Sequence, residues 1–340
     1  MSNITVITTT FGTVDDQIRL TILFNVLIKT FSQCLDGFAW IIGNIGAICT
    51  CIVFHQAIFR KSPCAMYVTA SNFSQLFIFN FATFIRMIQY GYGVLINSLP
   101  AWFCRIRFYI YYVSMANARY NIIFASADRY FSSSQSINLR QWSSSKVALR
   151  LIIIDAIIWI LFYIQVLVMY DVQSNKCRIH STSFFTYFNY FITFENGLLP
   201  IIPMSIFGLL TIRNIHQSKR RIRTTESING SENGNITLVL RKETQLHKML
   251  INQVIVYLIF NIPLPVYGIY RSYISISTLS RWRAVMDTFM NNLFYDMIYL
   301  GYALTFPIFI LTSDIFRREL KKIIKKKLVY PCQRIITRTN

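Results

Sequence analysis

Residues 104–130, CRIRFYIYYVSMANARYNIIFASADRY, decide the fold. The stretch opens on Cys104 and closes on the triplet Asp128-Arg129-Tyr130, with Arg129 standing 25 residues after Cys104. Between these ends runs a mostly apolar segment. At about 1.5 Å per helical residue it is long enough to cross the ~30 Å hydrocarbon core of a bilayer. One helix would then carry a cysteine at one membrane face and a charged triplet at the other.

The rest of the chain is built of similar material. Of its 340 residues 54% are apolar and only 14% charged, and the mean hydropathy is +0.42, too oily for an ordinary soluble domain. The excess apolar surface is expected to face lipid, and the length leaves room for about seven membrane helices with short connections. Seven apolar runs can be placed, near residues 31–54, 66–94, 102–131, 146–169, 184–212, 247–270 and 289–311. Barrel strands would alternate polar and apolar residues, whereas these runs are oily on most faces. The expectation is an all-α membrane protein, a seven-transmembrane helix bundle over 31–313. It follows an extracellular N-terminal segment, 1–30, and precedes a cytoplasmic amphipathic helix and basic tail, 314–340. The first twenty residues lack a basic start and a continuous apolar stretch, so no removable signal peptide is expected.

Basic residues set the expected orientation. About 23 Lys and Arg fall around the connections after the first, third and fifth runs and in the tail, against about 9 on the other side, with Arg86 and Arg119 inside runs. The basic side is expected to be cytoplasmic, placing the N-terminus outside and the C-terminus inside at the plasma membrane. The net charge of +20 then lies along the anionic lipids of the inner leaflet and requires no nucleic acid.

Further marks sit at spaced positions along the runs. Gly43-Asn44 lies in the first, Trp159 in the fourth, Pro200 in the fifth, Pro263 in the sixth and Pro307 in the seventh, and Glu243 stands 20 residues before Pro263. Together with Cys104 and Asp128-Arg129-Tyr130, this pattern resembles the rhodopsin-like (class A) family of G-protein-coupled receptors, from Gly43 to Arg317. The resemblance implies a disulfide between Cys104 and Cys177, in the loop between the fourth and fifth spans, which would face the oxidising exterior. It also implies an activation switch in which Arg129 is held by Asp128 and by Glu243 of the sixth span. A buried guanidinium needs a carboxylate, and Arg stays charged. Prolines 200, 263 and 307 would bend their helices as pivots. Two alternatives stay open: that Asp128, Arg129 and Glu243 are solvated helix-end charges, and that Cys104 and Cys177 are unpaired thiols.

The departures from the family pattern mark a divergent, peptide-receptor-like member. Gln75 stands near the family's sodium-binding acid, Asn261 replaces its sixth-span Trp, and Phe306 replaces the Asn before Pro307. Amine receptors place an Asp where Tyr111 stands, and opsins need a seventh-span Lys that 289–311 lacks. In the expected pocket, Arg86 and Asp296 either meet a charged ligand or pair with each other, because buried charges need partners. Arg119 and Glu195 lie deeper and are expected to form a structural ion pair. Tyr111, Asn261 and Tyr267 complete the candidate pocket, and the abundance of Tyr and Phe around it favours a peptide ligand.

After the seventh run, FRRELKKIIKKKL reads as a helix lying on the inner membrane surface. Cys332 beyond it is either palmitoylated or a free thiol. Asn3, in Asn3-Ile4-Thr5, is the sequon on the expected outer side, whereas those at Asn229 and Asn235 fall inside. The expected partners are an extracellular ligand, a heterotrimeric G protein and membrane lipids, with no cofactor and no metal. The four histidines are scattered without metal-ligand spacing, which argues against an enzyme. A membrane transporter or channel is the alternative, although the first half shows no interruptions to match the prolines of the second.

Overall fold

Apolar segments that leave water must satisfy every backbone N–H and C=O within themselves, which favours helix. A computed structural model describes residues 14–94, 100–173, 176–229, 234–273 and 281–325, giving the backbone alone for 215–229 and 234–243. Among them the only strands belong to one hairpin, β1 (Tyr170–Gln173) and β2 (Lys176–Ile179). The long helices are α1 (14–54), α2 (63–91), α3 (Ala101–Ser133), α4 (145–169), α5 (182–229), α6 (234–273) and α7 (281–312), followed by the short α8 (Asp314–Ile324).

Within the described residues, stretches of α1, α4, α5, α6 and α7 are long and apolar enough to cross a membrane: Asp15–Phe54, Ser145–Met169, Ser183–Asn214, Thr244–Arg271 and Arg281–Thr312. The most apolar of them, in α4, is also the least buried. Its Ile153, Ile157 and Leu161 form an outward stripe at helical spacing, each about half exposed, and Ile41, Ile45 and Ile48 do the same on α1. Apolar faces turned outward in this way are those of a membrane protein. Helices α2 and α3 are as long but less apolar, for a physical reason. They pack along each other and turn polar side chains inward, among them Ser71, Asn72 and Gln75 on α2 and Asn117, Arg119 and Asn121 on α3.

Helix α1 starts at Val14, well before residue 31, so the expected boundary at 30/31 falls inside one continuous helix. Asp15 and Asp16 in its first turn complement the helix dipole, and neither Gly nor Pro interrupts it before Gly37. Its one irregularity is a π-helical turn, Ser32–Asp36, which packs on a similar turn of α2, Met87–Gly91, where Gln33 Nε2 donates to the Gly91 carbonyl at 2.7 Å. Asn44 ties the same two helices lower down, accepting from Asn80 Nδ2 at 2.8 Å.

The later helices are broken where the sequence lacks donors or side chains. Helix α5 is interrupted at Gly197, α6 at Ile262 and α7 at Leu304, and Pro200, Pro263 and Pro307 each stand in the first turn of the segment that follows. A missing N–H costs nothing there. A Cβ on Gly197 would come within 2.7 Å of Pro265, so glycine permits close approach of α5 and α6. Helix α8 is capped by Ser313, whose Oγ accepts from the Phe316 amide, and it docks through the fully buried Phe316 against Phe54 and Phe309, each 5.8 Å away.

Candidate functional site

Two cavities lie at opposite ends of α3. At its start, Cys104 is joined to Cys177 of β2 by a disulfide, with Cα atoms 5.9 Å apart. The hairpin is held further by Arg105 Nε donating to the Tyr170 carbonyl at 3.0 Å, by Phe108 stacked on Tyr170 at 4.6 Å, and by the Tyr112 and Tyr170 hydroxyls 3.0 Å apart. Below it is a cavity of about 230 Å³ lined by Arg86, Arg107, Tyr111, Tyr295, Tyr299 and Cys177, among others. A neighbouring cavity of about 400 Å³, between α5 and α6, shares Asn291 and Tyr295 with it.

Arg86 of α2 pairs with Asp296 of α7 at 3.3 Å and donates to Asn292 Oδ1 at 2.9 Å, with the Tyr90 and Tyr295 rings about 5 Å from its guanidinium. Arg86 and Asp296 are thus paired with each other across the bundle. Asp36, fully buried at the π-helical turn of α1, adds a second carboxyl beside Asp296 and Arg86. The π-helical turns thus sit where α1 and α2 deliver their buried charges, as such turns often do at functional positions. Deeper in the bundle Arg119 meets Glu195 at 3.3 Å, both side chains 1% exposed, with Asn196 as a further acceptor for Arg119 and the Tyr163 hydroxyl near Glu195 at 3.5 Å. Asp155 of α4 accepts from Trp159 Nε1 at 3.0 Å and from Asn121 at 3.1 Å, which gives Trp159 a structural task.

At the other end of α3, Arg129 is 2% exposed and donates to Asp128 Oδ2 at 2.7 Å, while Ser143 Oγ donates to Asp128 Oδ1 at 2.7 Å. Tyr130 packs on Phe207 of α5. Arg129 faces a cleft of about 300 Å³ between α3, α5 and α6, walled by Met204, Gly208, His247, Leu250 and Val254. Across the cleft, Gln245 of α6 accepts at one Oε1 from both Ser313 Oγ, at 2.9 Å, and the Ile315 amide, at 2.8 Å.

Several expected site residues are scattered. Tyr111 joins Arg86 at the cavity wall, but the Tyr267 hydroxyl is committed to Asp287, and Asn261 is buried with its Nδ2 donating to the Tyr257 carbonyl at 2.9 Å. Glu243 lies in α6 with its side chain outside the described residues, and Asn3 and Cys332 are outside them altogether. Among the described residues no three His, Cys, Asp or Glu side chains gather as a metal site. Arg107, Asp36 and Gln245 carry no family motif and are found only in three dimensions. Arg107 alone leaves a trace in sequence, since Cys104, Arg107 and Tyr111 follow helical spacing. No family model matches this chain, and no curated protein matches it at a significant level.

Proposed function

We propose that the protein is a plasma-membrane G-protein-coupled receptor, in which α1 to α7 all span the bilayer, the hairpin end faces outside and the Arg129 end faces the cytoplasm. The observation that carries this reading is one helix with a covalently roofed, aromatic and charged cavity at its first turn and a buried arginine over an apolar cleft at its last. A ligand entering under the hairpin, with a peptide favoured by the aromatic lining, would shift α5, α6 and α7, whose interruptions at Gly197, Ile262 and Leu304 lie between the two ends. Parting of α5 and α6 would widen the cleft to accept an amphipathic helix of a heterotrimeric G protein. Nucleotide exchange then belongs to the partner. The basic, amphipathic α8 would lie on the anionic leaflet.

The test is basal and peptide-library-stimulated G-protein activation in cells expressing wild type and Glu243→Ala at matched surface levels. Loss of an acid that holds Arg129 should raise basal signalling. If both remain silent across G-protein families while cells show substrate-dependent uptake or current, the protein is a transporter or channel instead.

A further inference from the structure

Among the described residues four arginines are buried in the bundle, and three have a carboxylate within 3.3 Å: Arg86 with Asp296, Arg119 with Glu195 and Arg129 with Asp128. The fourth, Arg107, is 8% exposed and lines the cavity beneath the hairpin. No carboxylate pairs with it among the described residues. The ring of its own neighbour Phe108 lies 5.1 Å from the guanidinium carbon, and the charged group near it is Arg86, of the same sign.

The acids of this end are committed elsewhere. Asp171 pairs with Arg105, Asp287 with Arg271 and Asp296 with Arg86, while Asp36 lies against Arg86 and Asp296. Asp15 and Asp16 belong to the first turn of α1, which packs mainly against α7. The stretches 1–13, 95–99, 174–175 and 274–280 contain no Asp or Glu that could supply a counter-charge. A guanidinium cannot shed its proton, so Arg107 keeps a buried positive charge with no carboxylate of the described residues beside it, an arrangement that is costly unless a partner arrives.

We infer that the partner is the ligand, and that it carries a carboxylate which binds Arg107. The planar fork of the guanidinium suits two parallel hydrogen bonds to a carboxylate. A doubly charged head group would want a second free cation, and Arg86 is already compensated. The cavity of about 230 Å³ is smaller than the ~300–1,000 Å³ usual for a whole small-molecule ligand. It therefore takes the acidic end, while an apolar body passes Asn291 and Tyr295 into the cavity lined by Tyr190, Leu264 and Pro265. This assignment rests on the receptor reading only for the cavity being open to the outside.

The test uses the full chain purified in detergent and its melting temperature. The probes are straight-chain and phenyl-substituted monocarboxylic acids and pools of short peptides with free C-termini, each beside its primary amide. The acids should raise the melting temperature by several degrees and the amides should not. Arg107→Gln should lose the shift, and Arg107→Lys should keep part of it. Empty R107Q should also melt above empty wild type, because an unpaired buried charge is gone, whereas R86Q should melt below it. Protection by free peptides but not small acids would identify a peptide C-terminus, and protection by small acids alone an organic acid. The inference is overturned if no acid protects, if acids and amides protect equally, if R107Q keeps the shift, or if empty R107Q melts below wild type. No G protein is present in this experiment. Acid protection in a protein that never signals would keep the anion site and sink the receptor, and signalling without acid protection would do the reverse.

Discussion

The two ends of the bundle are fastened in different ways. Toward the hairpin, the ties are covalent or ionic and join different elements: Cys104 to Cys177, Arg86 to Asp296, Arg271 to Asp287 at 3.2 Å and, at mid-depth, Arg119 to Glu195. Toward Arg129, the described charge pair, with Asp128, joins neighbours on a single helix. Neutral hydrogen bonds also link helices there: Asn214 of α5 donates to Ser133 of α3 at 3.2 Å, and Ser313 and Ile315 donate to Gln245 of α6. Neutral hydrogen bonds contribute about 0.5–1.5 kcal/mol each, whereas breaking one partner of a buried ion pair costs about 3–5 kcal/mol. Among the described residues, the hairpin end is thus a frame of covalent and ionic ties, and the Arg129 end includes links between helices that cost less to break.

The frame is broken most severely at Glu195. Replacing it by Gln leaves the Arg119 charge buried among neutral acceptors alone, the new side-chain amide oxygen, the backbone carbonyl of position 195 and the Asn196 amide oxygen. The expected loss is about 3–5 kcal/mol of stability, measured as a large fall in melting temperature and in surface expression. The paired variant Arg119→Met with Glu195→Leu should recover most of it, because both charges are then gone. If E195Q alone is as stable as wild type, the ion pair is no part of the frame.

The disulfide comes next. With a sequence separation of 73 residues, its removal by Cys104→Ala and Cys177→Ala should cost about 2–4 kcal/mol. Part of the chain-entropy gain is absent here, since α3 and α4 stay packed in the bundle when the hairpin is released. Melting of the double variant should match that of wild type in reductant. A variant as stable as oxidised wild type would move the hairpin from the frame to a passive cover.

Much of this frame can be read in the sequence, and the reasons for the exceptions are specific. The apolar runs were legible because lipid-facing helices must be oily on their outer faces, and the breaks in α5, α6 and α7 because proline removes a donor. Helix α1 begins earlier than hydropathy indicates, since Asp15, Asp16, Arg19 and Lys29 dilute its first half without interrupting it. The cysteine pairing and the depth of Arg119 and Glu195 followed from family resemblance and spacing. Asp36 did not, because nothing in SQCLD announces a π-helical turn that rotates the acid inward. Arg107 was hidden among the basic residues of CRIR, where Arg105, two residues away, points to the half-exposed Asp171. Gln245 is 68 residues from Ser313, and no local pattern links a neutral amide to a distant helix cap.

Gln245 gives the smallest expected effect and the sharpest test of the comparison. Its side-chain oxygen holds α6 against the α7–α8 junction by accepting both the Ser313 hydroxyl and the Ile315 amide. Gln245→Ala removes both bonds at a half-buried position near one end of the bundle, where water can replace them, a net change of about 1–2 kcal/mol. That corresponds to roughly a 5- to 30-fold shift toward the open arrangement, read as raised basal nucleotide exchange with little change in melting temperature. Gln245→Glu keeps the acceptor and adds charge, so it should hold basal exchange at or below the wild-type level. Ser313→Ala should give a smaller rise than Q245A, because the Ile315 amide still reaches Gln245. A basal rate in Q245A equal to that of wild type, at equal surface expression, would mean that α6 is held by contacts other than those of Gln245.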